Sequence, residues 1–195
     1  FQDYPGPYPY PASICTSVND ELAHGIPTDR KLVEGDIVSI DCGTVYQGFV
    51  GDMSVTVAVG NVDAPTTRLI NVTKRALDIA ISKMVPGNTT GDVGHAVQTF
   101  VEEMGFHITR TYTGHGVGRK MHEGPQVPNY GKPGRGMKLR EGMTIALEPM
   151  VLVGTGNTRV KDDEWTVASA DGSLTAHFEH TVAVTSNGPE IMTVL

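Results

Sequence analysis

The chain has 195 residues, 39% of them hydrophobic and 19% charged, which is enough for one substantial core and too few for two large domains. Its net charge of −7 argues against a nucleic acid partner, and no apolar stretch approaches the roughly 20 residues of a membrane helix. Cys15 and Cys42 are too few for a disulfide framework, there is no secretory pattern near Phe1, and a reducing compartment is expected.

In chain order, Ser13 to Val18 is the first strand-like run. The segment DIVSIDCGTVYQGFVGDMSV then reads as a hairpin, Ile37 to Tyr46 and Phe49 to Val59, turning at Gln47 and Gly48. With an even number of loop residues, Asp41 opposes Ser54 and Gly43 opposes Asp52, so the two aspartates are diagonal neighbours on one face, about 7 to 8 Å apart. Two aspartates on a hairpin most often face solvent, but like charges this close on a covered face need a cation or a proton between them. The missing side chain of Gly43 leaves room for something to sit on the sheet opposite Asp52.

Two amphipathic helices follow. The first takes Thr66 as cap and carries Leu69, Val72, Ala76, Ala80 and Met84 at helical spacing until Pro86 and Gly87. The second takes Thr90 as cap, with Val93, Ala96, Val97, Phe100, Val101 and Met104 on one face and Gly105 at C′. Beyond them, His107 to Tyr112, Met143 to Leu152, Trp165 to Ala168 and Leu174 to Val184 are strand-like, and 129–136 is a loop. The pattern is that of an α+β domain covering residues 1–195.

Two more carboxylates interrupt these apolar strands: Glu148 in MTIALEPM, and Glu179 in LTAHFEHTVAVT, which alternates away from Phe178, Val182 and Val184. A buried carboxylate without a cation, a proton or a hydrogen-bond network is costly. His115 and His122 lie in TGHGVGRKMHEGP, where a lone histidine is usually solvated. Taken together, four carboxylates and a histidine form a mostly hard ligand set. It suits Mn, Fe, Co, Mg or Zn more than copper, and two ions about 3.5 to 4 Å apart would neutralise it.

The run YTGHGVGRKMHEGPQVPNY, Tyr112 to Tyr130, resembles the signature segment of type I methionine aminopeptidases. AHGIP, DCG followed by GDMS, ALEPM and FEHT match that family's other landmarks in order over essentially the whole chain. The resemblance implies the pita-bread fold, a duplicated unit of helices and antiparallel strands around a central sheet. It implies two divalent ions (Co, Mn, Fe, Zn or Mg) on Asp41, Asp52, His115, Glu148 and Glu179, with Glu179 bridging. It assigns substrate contacts to His24 and His122 and a methionine pocket to Tyr10, Cys15, Met121 and Trp165, and Glu148 is the expected proton carrier. The implied activity is removal of the initiator methionine from nascent polypeptides whose second residue is small. That activity would be carried out by a cytoplasmic monomer with ribosome association and no nucleic acid or membrane partner.

The sequence departs from the family at Met121, where an aromatic residue is usual, and at Ala23, where cysteine is common. The family's first helix pair has no counterpart before the hairpin, so a chain truncated at its N-terminus is expected, with Ile37 and Val50 exposed on the uncovered sheet. A proline-specific peptidase and a noncatalytic binding protein of the same fold are the alternatives. Met150 after Pro149, and His180 and Thr181 after Glu179, look like the methionine enzymes, and noncatalytic relatives generally lose ligands that are all retained here.

Overall fold

The computed structural model describes residues 1–194. The strands before the helices are β1 (Cys15–Val18), β2 (Glu21–Ala23), β3 (Ile37–Tyr46) and β4 (Phe49–Ala58). Helices α1 (Ala64–Ser82) and α2 (Thr90–Glu103) follow, then β5 (His107–Ile108), β6 (Gly114–Gly116), β7 (Glu123–Val127), β8 (Thr144–Leu147) and β9 (Met150–Leu152). The last are β10 (Thr158–Val160), β11 (Val167–Ser169), β12 (Thr175–His177), β13 (Glu179–Thr185) and β14 (Gly188–Ile191). The main sheet has the order β1-β3-β4-β13-β8-β6-β7 with β14 added to β13, and two smaller sheets are ordered β10-β11-β2 and β12-β9-β5. Every pairing is antiparallel.

Both helices are capped one or more residues before the positions expected from the sequence. Asp63, not Thr66, caps α1: its Oδ1 accepts from the Thr66 amide at 2.8 Å, and Pro65 sits in the first turn, where its missing N–H costs nothing. Thr89, not Thr90, caps α2 and exchanges bonds with Asp92 in a capping box. The apolar stripes fall as their spacing dictates. Leu69, Val72, Ala76, Leu77, Val93, Val97 and Val101 pack with Ile145, Leu147, Val182 and Val184 in one core cluster. Each buried valine, leucine or isoleucine among them contributes about 1.5 to 3 kcal/mol, which fixes the helix pair against the sheet.

The expectation for Ile37 is corrected. It is 1% exposed and belongs to the core cluster that also holds the apolar stripes of both helices. Val50 is half-buried and borders an apolar groove shared with Tyr46, Phe49, Met53 and Met192. Solvent reaches the hairpin tip, where Val45, Tyr46 and Phe49 are exposed, and also Val57 near its base. Two long expected strands are each split: Met143–Leu152 into β8 and β9, and Leu174–Val184 into β12 and β13. His107–Tyr112 shrinks to β5, and the short strands β2, β6, β7, β10 and β14 were not legible as alternations.

Candidate metal centre

Gln47 (φ 50°) and Gly48 (φ 81°) both take positive φ, the requirement of a two-residue turn whose twist matches its strands. The register follows from it, Asp41 opposite Ser54 and Gly43 opposite Asp52. Both aspartates are buried, at 8% and 3% exposure. The room left by Gly43 is used: the Met121 Cε lies where a Gly43 Cβ would be, and Asp52 Oδ1 is 3.5 Å from that point.

The splitting of the two long strands brings in the glutamates. Strands β8 and β13 pair within the main sheet, His180 opposite Leu147, while β9 and β12 pair in a smaller sheet, His177 opposite Met150. The two-stranded ribbon therefore changes sheets between those pairs, at Glu148-Pro149 on one strand and Phe178-Glu179 on the other. Pro149 has no N–H to give a ladder, and the Phe178 amide turns to the Pro149 carbonyl at 3.4 Å. Both glutamates consequently stand at the bend, Glu148 between β8 and β9 and Glu179 as the first residue of β13. Glu179 and Asp41 flank Ser54 from the two neighbouring strands, and Asp52, two positions along β4, is diagonal to both.

His115, on β6 beside β8, completes the cluster. Its Nδ1 lies 2.9 Å from the Gly116 carbonyl, so that nitrogen donates and Nε2 keeps its lone pair. Nε2 is 3.4 Å from Glu148 Oε1 and 3.9 Å from Asp52 Oδ2. Such spacings are long for hydrogen bonds but within reach of donors that each sit about 2.1 Å from a shared ion, which lie from about 3.0 Å apart when adjacent to about 4.2 Å when opposed. Asp41 Oδ1, Asp52 Oδ1 and Glu179 Oε1 are buried with no hydrogen-bond partner. Burial pushes Asp52 up to about 6, and burial together with the neighbouring carboxylates holds Asp41, Glu148 and Glu179 well above the usual carboxylate range. Burial pushes His115 down to about 4, which keeps its imidazole neutral. Neutral imidazole, crowded carboxylates and orphaned oxygens together fit a divalent cation. Donor atoms of Asp52, His115 and Glu179 lie within 4.8 Å of one another, as do those of Asp41, His177 and Glu179.

The cluster forms one wall of a cavity of about 90 Å³, and the other wall carries Tyr4, Tyr10, Cys15, His24, His122 and Trp165. His24 takes φ 57°, unusual for a residue with a side chain, because Gly25 behind it is pressed against the Thr16 backbone, and Thr16 N donates to its carbonyl at 2.7 Å. The Tyr10 hydroxyl donates to that same carbonyl at 2.8 Å, so the His24 turn is held from two sides. Tyr10 meets Trp165 edge to face at 5.2 Å between centroids, and burial pushes the Cys15 thiol up to about 12. Of the residues expected to form the methionine pocket, Tyr10, Cys15 and Trp165 line this cavity. Met121 does not, since its end is spent on Gly43.

Two residues of the site escaped the sequence. Tyr4 reaches His122 from the N-terminal segment and nothing local marks it. His177 had a signal: His177 and Glu179, two positions apart on a strand, point to the same side.

The sequence model of metallopeptidase family M24 matches residues 3–186. A methionine aminopeptidase of Clostridium acetobutylicum is 49% identical over 195 residues, covering 100% of this chain and 77% of that protein. The crystal structure of a methionine aminopeptidase from Rickettsia prowazekii superposes with a TM-score of 0.93 at 45% identity, covering 95% of this chain and 75% of the other. A prolidase from Pyrococcus furiosus, 24% identical, shares the fold with a TM-score of 0.74 over 97% of this chain and 50% of its own.

Proposed function

This chain belongs to metallopeptidase family M24, with its pita-bread fold, and acts as a metal-dependent aminopeptidase on N-terminal methionine; we propose that two divalent ions on Asp41, Asp52, His115, Glu148 and Glu179 serve that reaction. The observation that carries this reading is the convergence of four buried or nearly buried carboxylates and a neutral histidine, three of the carboxylates with orphaned oxygens, on the wall of a cavity whose opposite wall is aromatic.

Bound ions of this kind supply a Lewis acid for the scissile carbonyl and lower the pKa of water toward neutrality. Glu148 lines the cavity beside His115 and would take a proton from the attacking water and return it to the leaving amine. His122 presents a ring N–H to the carbonyl oxygen, where charge grows in the transition state, and His24 meets the amide nitrogen of the leaving peptide. Tyr10, Cys15 and Trp165 enclose an apolar space for the first side chain, and the metal centre would take the free α-amino group. Confinement of the cut to the first residue follows, because only a chain end carries that amine.

The ions belong to the set Co, Mn, Fe, Zn and Mg, and the second substrate residue is small because His24 and His122 crowd the scissile bond. Nascent polypeptide N-termini are the substrates, which puts the single catalytic domain in the cytoplasm, as a monomer, with access to the ribosome. No helix among the described residues is long and apolar enough to cross a membrane. The test is release of methionine from Met-Ala-Ser after chelation and after restoration of Co or Mn. Release that is lost and then restored is expected, whereas full activity in the metal-free chain, or a preference for Xaa-Pro peptides, would overturn the reading.

A further inference from the structure

His177 has no part in the five-ligand set, yet it is the most constrained histidine near it. It is 2% exposed, and both ring nitrogens lack a hydrogen-bond partner. Its backbone, by contrast, is fully engaged. The His177 amide donates to Thr56 Oγ1 at 2.8 Å, and the Thr56 hydroxyl is also 2.8 Å from the His177 carbonyl, which pins this end of β12 to β4. A satisfied core histidine would show a partner for at least one nitrogen. Here the fold fixes the main chain and leaves the imidazole unpaired beside carboxylates.

The geometry repeats that of His115. His177 Nε2 is 3.6 Å from Glu179 Oε2, as His115 Nε2 is 3.4 Å from Glu148 Oε1. Both distances are too long for good hydrogen bonds and suit two donors sharing an ion. Donor atoms of His177, Asp41 and Glu179 lie within 4.8 Å of one another, and Asp52, His115 and Glu179 make a second triad of the same composition. Glu179 is common to both. We propose that His177 is a metal ligand, giving its imidazole to an ion held by Asp41 and Glu179, so that each of two ions takes one imidazole and the pair shares Glu179.

This rests on reading the cluster as a divalent-ion centre, and the two ideas fail differently. The probe is Co²⁺, followed by calorimetry for affinity and stoichiometry and by X-ray absorption for the imidazole count, which is read without any turnover. The unaltered chain should take up two ions with one imidazole per ion. His177→Gln, which keeps a polar group of similar reach but a poor ligand, should retain one tight ion, bind the other at least tenfold more weakly, and lose the imidazole contribution of that position. Two ions carrying only the single imidazole of His115 in the unaltered chain would overturn the assignment, as would two unchanged affinities in His177→Gln. Absence of stoichiometric uptake by the unaltered chain would instead overturn the metal centre itself. Should His177→Gln not fold, as judged by circular dichroism with chelator present, the imidazole count on the unaltered chain decides.

Discussion

The Tyr4 hydroxyl stands 2.5 Å from Nδ1 of His122, a residue 118 positions away in the chain. With the O–H donating, Nδ1 is the acceptor and the ring proton resides on Nε2, the nitrogen left to meet a carbonyl oxygen. Partial burial lowers the His122 pKa, which favours this neutral form. Tyr4→Phe removes the donor and frees the ring to take the other tautomer. Turnover should fall roughly tenfold with bound Co²⁺ unchanged, as expected for loss of a group that orients a transition-state donor. An unaltered kcat would show that His122 needs no such partner.

Replacing the histidines one at a time should separate two roles. His115→Ala removes a donor that faces Glu148 and Asp52, and ion uptake should drop with activity. His24→Ala and His122→Ala should each slow turnover by roughly 10²-fold or more while both ions stay bound, because the lost interaction is made in the transition state. Dialysis against Co²⁺ with metal analysis of each variant is the measurement, and metal loss in His122→Ala would contradict the division.

Ion uptake should be pH-dependent with a definite sign. In the ion-free chain burial pushes Asp52 up to about 6 and raises Asp41, Glu148 and Glu179 in the same direction, so these groups hold protons where ordinary carboxylates have lost them. An entering cation must displace those protons, so affinity is greatest above the raised pKa and is lost as pH falls through it. His115, pushed down to about 4, stays neutral over that window and does not oppose the trend. Co²⁺ affinity should weaken roughly tenfold per pH unit for each proton displaced below about pH 6, with proton release visible in calorimetry across buffers of different ionisation enthalpy. A flat affinity between about pH 5 and 7 would contradict this.

The two cysteines should differ sharply toward a thiol reagent. Cys42 is exposed, whereas Cys15 is buried and its thiol is pushed up to about 12 by burial first and then by Asp41. At pH 8 the native chain should titrate as one fast thiol, and the denatured chain as two, because only about one part in 10⁴ of Cys15 is thiolate. Equal rates for both in the native state would place Cys15 in solvent and remove it from the pocket wall.

Selectivity for the first side chain should be graded. Tyr10, Cys15 and Trp165 form an apolar wall, and such walls distinguish a changed branch by about 1 to 3 kcal/mol. Leucine in place of methionine should therefore lower kcat/KM by roughly 10 to 200-fold without abolishing it. Met-Lys peptides should be cut far more slowly than Met-Ala, and equal rates on the two would refute a crowded second site.

Sequence alone determined the parts whose physics is local. The hairpin register that sets Asp41 diagonal to Asp52 follows from strand alternation and a turn residue pair that accepts positive φ, and the helix stripes follow from a 3.6-residue period. Caps are local too, but several side chains compete for them, and Asp63 and Thr89 won over the neighbours expected from the pattern. Local pattern could mark Glu148 and Glu179 as charges in apolar runs but could not say that each stands where a strand passes from one sheet to another. That bend depends on Phe178 turning its amide to Pro149, a pairing between segments far apart in the chain. Tyr4 on His122, Met121 over Gly43 and His177 beside Asp41 are likewise contacts that close only when distant strands pack. Which buried nitrogens and oxygens are left without partners is a property of that packing, because every donor and acceptor must first be matched against all the others, and only the folded chain performs that matching.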